Sequence, residues 1–223
     1  MTKISDNLSQ IYDQRFRDRN DDRSILWKTL TKYYFQSFVN KEDTVIDLPA
    51  GYCEFINNID CARKIAVDLN PSVKKMAAKG VKVYIARSTE LPKELHGSAD
   101  VVFVSNFFEH LHDHEELLKT LRQIRLCLKP GGKLIVLQPN IRLVKERYWD
   151  FLDHTLPLTE KSMREALVLT GFKIQIEKIR FLPYTTESRL PVSALLIRLY
   201  LKFPPIQWFL GKQSLFIAAI ADN

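Results

Sequence analysis

From Thr44 onward the chain alternates short apolar runs with stretches of helical periodicity. TVIDL (44–48), KIAVDL (64–69), VKVYIA (81–86), DVVFVS (100–105) and GKLIVLQ (132–138) have the length and the β-branched content of buried strands. Between the last two, HEELLKTLRQIRLCL sets Leu117, Leu121, Ile124 and Leu128 on one stripe, which predicts an amphipathic helix. The KPGG that follows ends it, since Pro130 cannot continue a helix and Gly131 tolerates the left-handed conformation. A second helix, TEKSMREALVLT, opens on Thr159 as its cap and closes at Gly171. Beyond it, FKIQIEKIRFL and QSLFIAAI are predicted to pair antiparallel. Strands that alternate with helices in this way predict a doubly wound α/β sheet, mostly parallel with an antiparallel terminal strand and with helices on both faces.

The same pattern sets the expected organisation. A helical N-terminal extension, rich in aromatics, covers 1–43, and an α/β domain covers 44–223. Two insertions interrupt it, PNIRLVKERYWDFLDHTLPL (139–158) and PYTTESRLPVSALLIRLYLKFPPIQWFLGK (183–212). Binding and catalysis are commonly built from such additions.

Composition narrows the class. A hydrophobic fraction of 46% and a charged fraction of 26% over 223 residues fit a globular chain with a sizeable core. No apolar run approaches the roughly 20 residues that span a bilayer, and the polar MTKISDNLSQ start is no secretory signal, so a cytoplasmic location is expected. Three cysteines without a CxxC pair suggest neither a disulfide framework nor a zinc knuckle. The net charge of +7 is biased toward the C-terminal part, where nine basic residues face four acidic ones from Lys161 onward. That bias would attract phosphates, an acidic membrane surface or nucleic acid, although a solvated basic face is the favoured reading of any single residue. No RNA-binding module or dense basic stripe with stacking residues is present, so no nucleic acid partner is expected.

Candidate chemistry begins at the turn Asp47 to Cys53. In a doubly wound sheet, ligands bind beyond the carboxyl ends of the strands, where the first turn comes closest to them. Asp68 ends the second strand about 20 residues later, the spacing at which a carboxylate receives both hydroxyls of a ribose. A nucleoside ligand fits this pattern. A dinucleotide fits less well, because the glycines that cradle a pyrophosphate are incomplete.

VIDLPAGYCEFI, IAVDLNP, ADVVFVSNFFEHL and LKPGGKLIVLQPN, in this order and spacing, resemble the class I S-adenosylmethionine-dependent methyltransferases, over roughly residues 44 to 180. The resemblance implies a Rossmann-like fold, S-adenosylmethionine as cofactor and methyl transfer to a small-molecule acceptor. More narrowly, YDQRFRDRN, YWDFLDHTLPLTEKSMREAL and FLPYTTESRLPVSALLIRLYLKFP resemble a bacterial subgroup associated with sugar and polysaccharide modification, which implies a hydroxyl of a sugar or lipid-linked glycan precursor as acceptor. The resemblance also implies residue roles. Asp47 and Gly51 face the methionine part of the cofactor, Asp68 holds the ribose and Leu69 packs beside the adenine. Ser88 and Thr89 lie at the adenine edge, Asn106 and Phe107 lie beside the sulfonium, and Tyr12 and Arg15 close over the ligand. Three positions depart from the pattern: Pro49 and Cys53 replace family glycines, and Arg87 stands where many relatives carry an acid. These departures motivate an alternative, a cofactor-binding protein that no longer transfers methyl groups; a methyltransferase acting on another acceptor, a lipid, nucleic acid or protein, is the other alternative.

Transfer to a hydroxyl calls for a base, and histidine suits neutral pH. His154, in the 139–158 insertion, is the expected base, with Asp153 or Asp150 to orient it; Tyr148 and Trp149 offer a stacking face to a sugar or pack in the core. His110 and His114, four apart in EHLHDH, would share a helix face as metal ligands, but a cap at Asp113 and a His110 lining the site floor are the favoured reading, and no metal is expected. In the 183–212 insertion, a helix from Val192 to Phe203 would bring Arg198 and Lys202 together and stop at Pro204 and Pro205. Residues 190–210 then form either a lid or a peripheral membrane contact, with Trp208 and Phe209 as anchors.

Overall fold

The computed structural model describes residues 20–184 and 192–221. Seven strands form one sheet in the order β3-β2-β1-β4-β5-β7-β6. They are β1 (Thr44–Asp47), β2 (Arg63–Asp68), β3 (Val81–Ile85), β4 (Ala99–Ser105), β5 (Leu128–Pro139), β6 (Phe172–Leu182) and β7 (Gln213–Ile220). β1 to β5 pair in parallel, and β7 runs antiparallel to both β5 and β6. The last strand of the chain is thus the antiparallel one, as its pattern predicted, and it is inserted between its neighbours. Its burial accounts for the position: seven of its eight residues are buried, which an edge strand with a solvated face would not allow.

The helices are α1 (Asn20–Tyr33), α2 (Glu54–Asn58), α3 (Val73–Met76), α4 (His114–Cys127), α5 (Ile141–Val144), α6 (Glu160–Leu169), α7 (Ala194–Lys202) and α8 (Pro204–Leu210). α4 buries Leu117, Leu121 and Ile124 on the predicted stripe. It ends at Cys127, and the KPGG segment becomes an irregularity inside β5, with Gly131 at φ +75°. Thr159 caps α6 in a reciprocal box with Ser162, and Gly171 follows the helix at φ +82°. Pro204 does more than stop α7: its fixed φ and missing N–H suit a first helical position, and it opens α8.

Alternation along the strands feeds two cores. Val102, Val104, Leu134 and Val136 pack under α4 and α6 with Leu156 and Leu158 of the insertion. Val101, Phe103, Ile135 and Leu137 face the opposite side, where α1 and α2 dock. There Phe103 stacks on Phe55 at 3.8 Å and meets Phe35 edge-on at 5.0 Å, and Trp27 of α1 reaches it at 6.0 Å. The described part of the N-terminal segment therefore packs into the core on this face of the sheet.

Candidate active site

The strand order reverses between β1 and β4, the crevice where ligands of such sheets bind. Asp47 ends β1 in register with Ala66 of β2 and Phe103 of β4, and Asp68 ends β2, so both carboxylates stand at the carboxyl edge. The turn joining them is tightly tied. Ala50 N–H donates to the Val67 carbonyl at 3.0 Å, Gly51 N–H to Asp68 Oδ2 at 2.8 Å, and Asn70 N–H to Asp68 Oδ1 at 2.8 Å. The Asp68 carboxylate thereby has a fixed orientation at the carboxyl edge of the sheet.

The substituted glycine positions fit this turn. The Leu48–Pro49 peptide is cis. Gly51 has φ +50° and faces open space, where a Cβ would meet nothing within 4 Å. Cys53 takes φ +58° at the start of α2, with a fully buried thiol that burial pushes up to about 12, so it is a packing residue and not a nucleophile.

Sequence reasoning missed the other half of this wall. Arg23 of α1 donates through Nε to Glu54 Oε2 at 2.6 Å, and its guanidinium lies 5.1 Å from the Tyr52 ring centroid. α1 is thus clamped onto the turn. Burial raises the carboxyls of Asp47, Glu54 and Asp68, and the charges of Asp68 and Glu54 add to the effect at Asp47. This acidic shelf suits a ligand that brings positive charge. Tyr12 and Arg15 lie outside the described residues.

The remaining expected cofactor residues ring the same edge. Leu69 is 52% exposed, an apolar face beside Asp68. Ser88 exchanges a hydrogen bond with Thr120 of α4 at 2.9 Å, which ties the loop after β3 to that helix, and its neighbour Thr89 is half-buried. Asn106 follows β4 at φ +47°, donates its N–H to the Leu137 carbonyl at 2.8 Å and its Nδ2 to Ser105 Oγ at 3.0 Å, and Phe107 is half-buried next to it.

On the acceptor side, the 139–158 insertion is stapled to the loop after β4. The N–H groups of Thr155 and Leu156 both donate to the Glu109 carbonyl, at 2.9 and 3.1 Å, and Thr155 Oγ1 donates to the Leu111 carbonyl at 2.7 Å. Asp153 and His154 are thereby laid against Glu109 and His110. Asp153, expected to orient His154, has its carboxylate 3.3 Å from His110 Nδ1 and its carbonyl oxygen 3.0 Å from the same nitrogen. A carbonyl can only accept, so Nδ1 carries the proton, and in the neutral ring the lone pair is then on Nε2. His154 is buried, its Nδ1 3.4 Å from the Tyr184 hydroxyl and its ring 5.0 Å from that of His110.

The helix-face pairing considered for His110 and His114 does not form, because His110 ends a separate turn (Phe108–His110) and His114 begins α4, capped by Asp113. Tyr148 is a core residue whose hydroxyl donates to the Leu156 carbonyl at 2.6 Å, while Trp149 is exposed. Glu109, at 3% exposure, has its carboxyl raised to about 7 by burial, and its Oε2 has no hydrogen-bond partner among the described residues. Glu109, His110 and His154 offer ligand atoms within 4.8 Å of one another. That span exceeds the ~3.4 Å between ligand atoms on a tetrahedral metal with ~2.1 Å bonds.

The described groups fit S-adenosylmethionine: a fixed carboxylate at Asp68, an exposed apolar face at Leu69, open backbone at Gly51 and an acidic shelf for the sulfonium and ammonium charges. A profile of the methyltransferase domain matches residues 19–176. An uncharacterized protein of Methanocaldococcus jannaschii is 30% identical over 161 residues, 70% of this chain and 68% of that one. The ubiquinone/menaquinone biosynthesis C-methyltransferase UbiE of an Enterobacter species is 26% identical over 148 residues, 59% of this chain and 57% of its own. Among solved structures, a SAM-dependent methyltransferase from Archaeoglobus fulgidus superposes with a TM-score of 0.63 at 21% identity, covering 95% of this chain and 99% of that one. A methyltransferase bound to the Trm112 activator of Haloferax volcanii gives 0.62 at 19% identity, covering 96% of each. The chain belongs to the methyltransferase domain family and is an S-adenosylmethionine-dependent methyltransferase.

Proposed function

We propose that this enzyme methylates a hydroxyl of a sugar or lipid-linked glycan precursor, with His110 as the base and His154 as the residue that positions the acceptor. The observation that supports the reading is the Asp153–His110 pair in the loop after β4, where the proton on Nδ1 leaves Nε2 of the neutral ring as the acceptor. The sugar part rests on the narrower resemblance of the 12–20, 148–167 and 181–204 segments to polysaccharide-modifying methyltransferases. Exposed Trp149 adds an aromatic face of the kind that stacks on a sugar ring.

Asp68 and Leu69 hold the adenosine half of the cofactor, and Asp47 and Gly51 hold the methionine half. When bound, S-adenosylmethionine supplies a methyl group on a positively charged sulfur, and the C–S electron pair stays on sulfur as the new C–O bond forms. His110 Nε2 takes the hydroxyl proton, and the nearby Asp153 carboxylate stabilises the resulting imidazolium. Positioning accounts for most of the remaining acceleration, because this leaving group needs no acid. His154, held by Tyr184 and wedged between Tyr148 and Phe151, keeps the acceptor side of the pocket in shape.

The test is release of S-adenosylhomocysteine with a panel of sugar nucleotides and lipid-linked saccharides. His110→Ala is expected to lower kcat by roughly a hundredfold or more, with cofactor affinity unchanged. His154→Ala is expected to lower kcat/KM mainly through KM. A fully active His110→Ala enzyme would exclude it as base. Turnover of quinone or nucleic acid acceptors alone would discard the sugar assignment.

A further inference from the structure

The helical pair α7–α8 is fastened on one face and bare on the other. Ile197 is buried, the Tyr200 hydroxyl donates to the Phe181 carbonyl at 2.8 Å, and the buried Gln207 donates through Nε2 to the Tyr200 and Leu201 carbonyls, both at 3.2 Å. These contacts hold the pair against β6 as a fixed part of the fold. Its outward face carries Leu195 at 64% exposure, Leu199, Phe203, Trp208 at 63% and Phe209 at 72%. Single exposed leucines are ordinary, but this many large apolar side chains on 16 helical residues form a patch that needs a partner.

Charge selects the partner. Between 192 and 212 the chain has three cations, Arg198, Lys202 and Lys212, and no acidic residue. Arg198 lies 4.5 Å from the Tyr33 ring of α1, and Arg180 of β6 lies 5.5 Å from the Trp208 ring, so cations flank the apolar face. A second copy docked patch to patch would bring these cations together. An anionic lipid surface neutralises them while the apolar side chains enter the headgroup boundary. Neither helix, of 9 and 7 residues, can cross a bilayer, and no described helix is long and apolar enough to do so. We infer that α7–α8 is an amphipathic docking surface that seats the enzyme on an anionic membrane.

The surface is also joined to the acceptor side: β6 ends at Leu182, and Tyr184 just beyond it meets His154. Docking would thus bring the pocket to a lipid-linked acceptor. That consequence deepens the functional reading above, whereas the docking itself stands without it.

Co-sedimentation with vesicles of phosphatidylcholine, alone or mixed with phosphatidylglycerol, tests the inference. The full chain is expected to bind the mixed vesicles, to bind the neutral ones at least tenfold more weakly and to be released by salt. Arg198→Gln and Lys202→Gln should each cost roughly fivefold at low salt, and Trp208→Ala with Phe209→Ala should abolish binding. Calorimetric binding of S-adenosylhomocysteine, read on the same samples, should be unchanged in all three variants, which separates loss of docking from loss of fold. Failure of the full chain to bind either vesicle would overturn the inference. So would a dimer in solution that the Trp208 and Phe209 changes dissociate, since the patch would then belong to a second copy. Docking without methylation of any saccharide would retire the acceptor assignment and leave the surface standing.

Discussion

Asp68 occupies the residue scale's central position, since its two oxygens are aimed by the N–H groups of Gly51 and Asn70 before any ligand arrives. Asp68→Ala should therefore weaken S-adenosylmethionine binding at least tenfold, about 1.5 to 3 kcal/mol, because ribose hydroxyls lose a charged acceptor. Calorimetry checks this, and an unchanged affinity would displace Asp68 from the ribose. Glu109 gives a second expectation. Burial raises its carboxyl from 4.5 to about 7, so the folded state favours the protonated form. Its contribution to stability is then full below about pH 4.5 and is lost as pH rises through about 7. Glu109→Gln should flatten that dependence and add on the order of 2 to 3 kcal/mol near pH 8, measured by denaturant melts at acidic and alkaline pH. A pH profile identical to that of the unaltered protein would refute it. Asp68 was legible from its distance after Asp47. Glu109 was not, since nothing in EHLHDH reveals that its first residue is buried.

Among the elements, local chemistry sets helix ends and tertiary contact sets the insertion. Thr159→Ala removes the α6 cap and should cost about 1 kcal/mol of stability, with cofactor binding intact. A loss within a few tenths would mean that the first turn of α6 is held by packing alone. The insertion offers a contrasting case. Thr155→Val deletes the bond to the Leu111 carbonyl that holds His154 and Asp153 against the β4 loop. Its expected signature is a lower kcat with cofactor affinity unchanged, because the two halves of the site are attached separately. Caps, strand lengths and the stripe of α4 could be read directly, since each depends on residues within a few positions. The pairing of Asp153 with His110, 43 residues away, required the staple.

For the whole molecule, one sheet carries both halves of the site on its carboxyl edge, and α1 closes one side through Arg23. Ligand binding should consequently stabilise the entire domain. S-adenosylhomocysteine at a hundredfold its Kd is expected to contribute about 2.7 kcal/mol and to raise Tm by roughly 5 to 11 °C. Asp68→Ala at the same ligand concentration should show a clearly smaller shift. A full shift in that variant would separate the ligand site from the carboxyl edge.

The amino-acid pattern by itself determined the parallel sheet with its antiparallel last strand, the helix caps and the acidic positions at the ends of β1 and β2. All of these follow from short-range periodicity and backbone preference. Only tertiary structure decided that β7 lies inside the sheet, that Arg23 clamps the turn after β1, that Asp153 lies beside His110 and that Tyr148 is core. Those outcomes depend on which distant surfaces bury one another and which polar groups then lose water. No window of neighbouring residues contains that information.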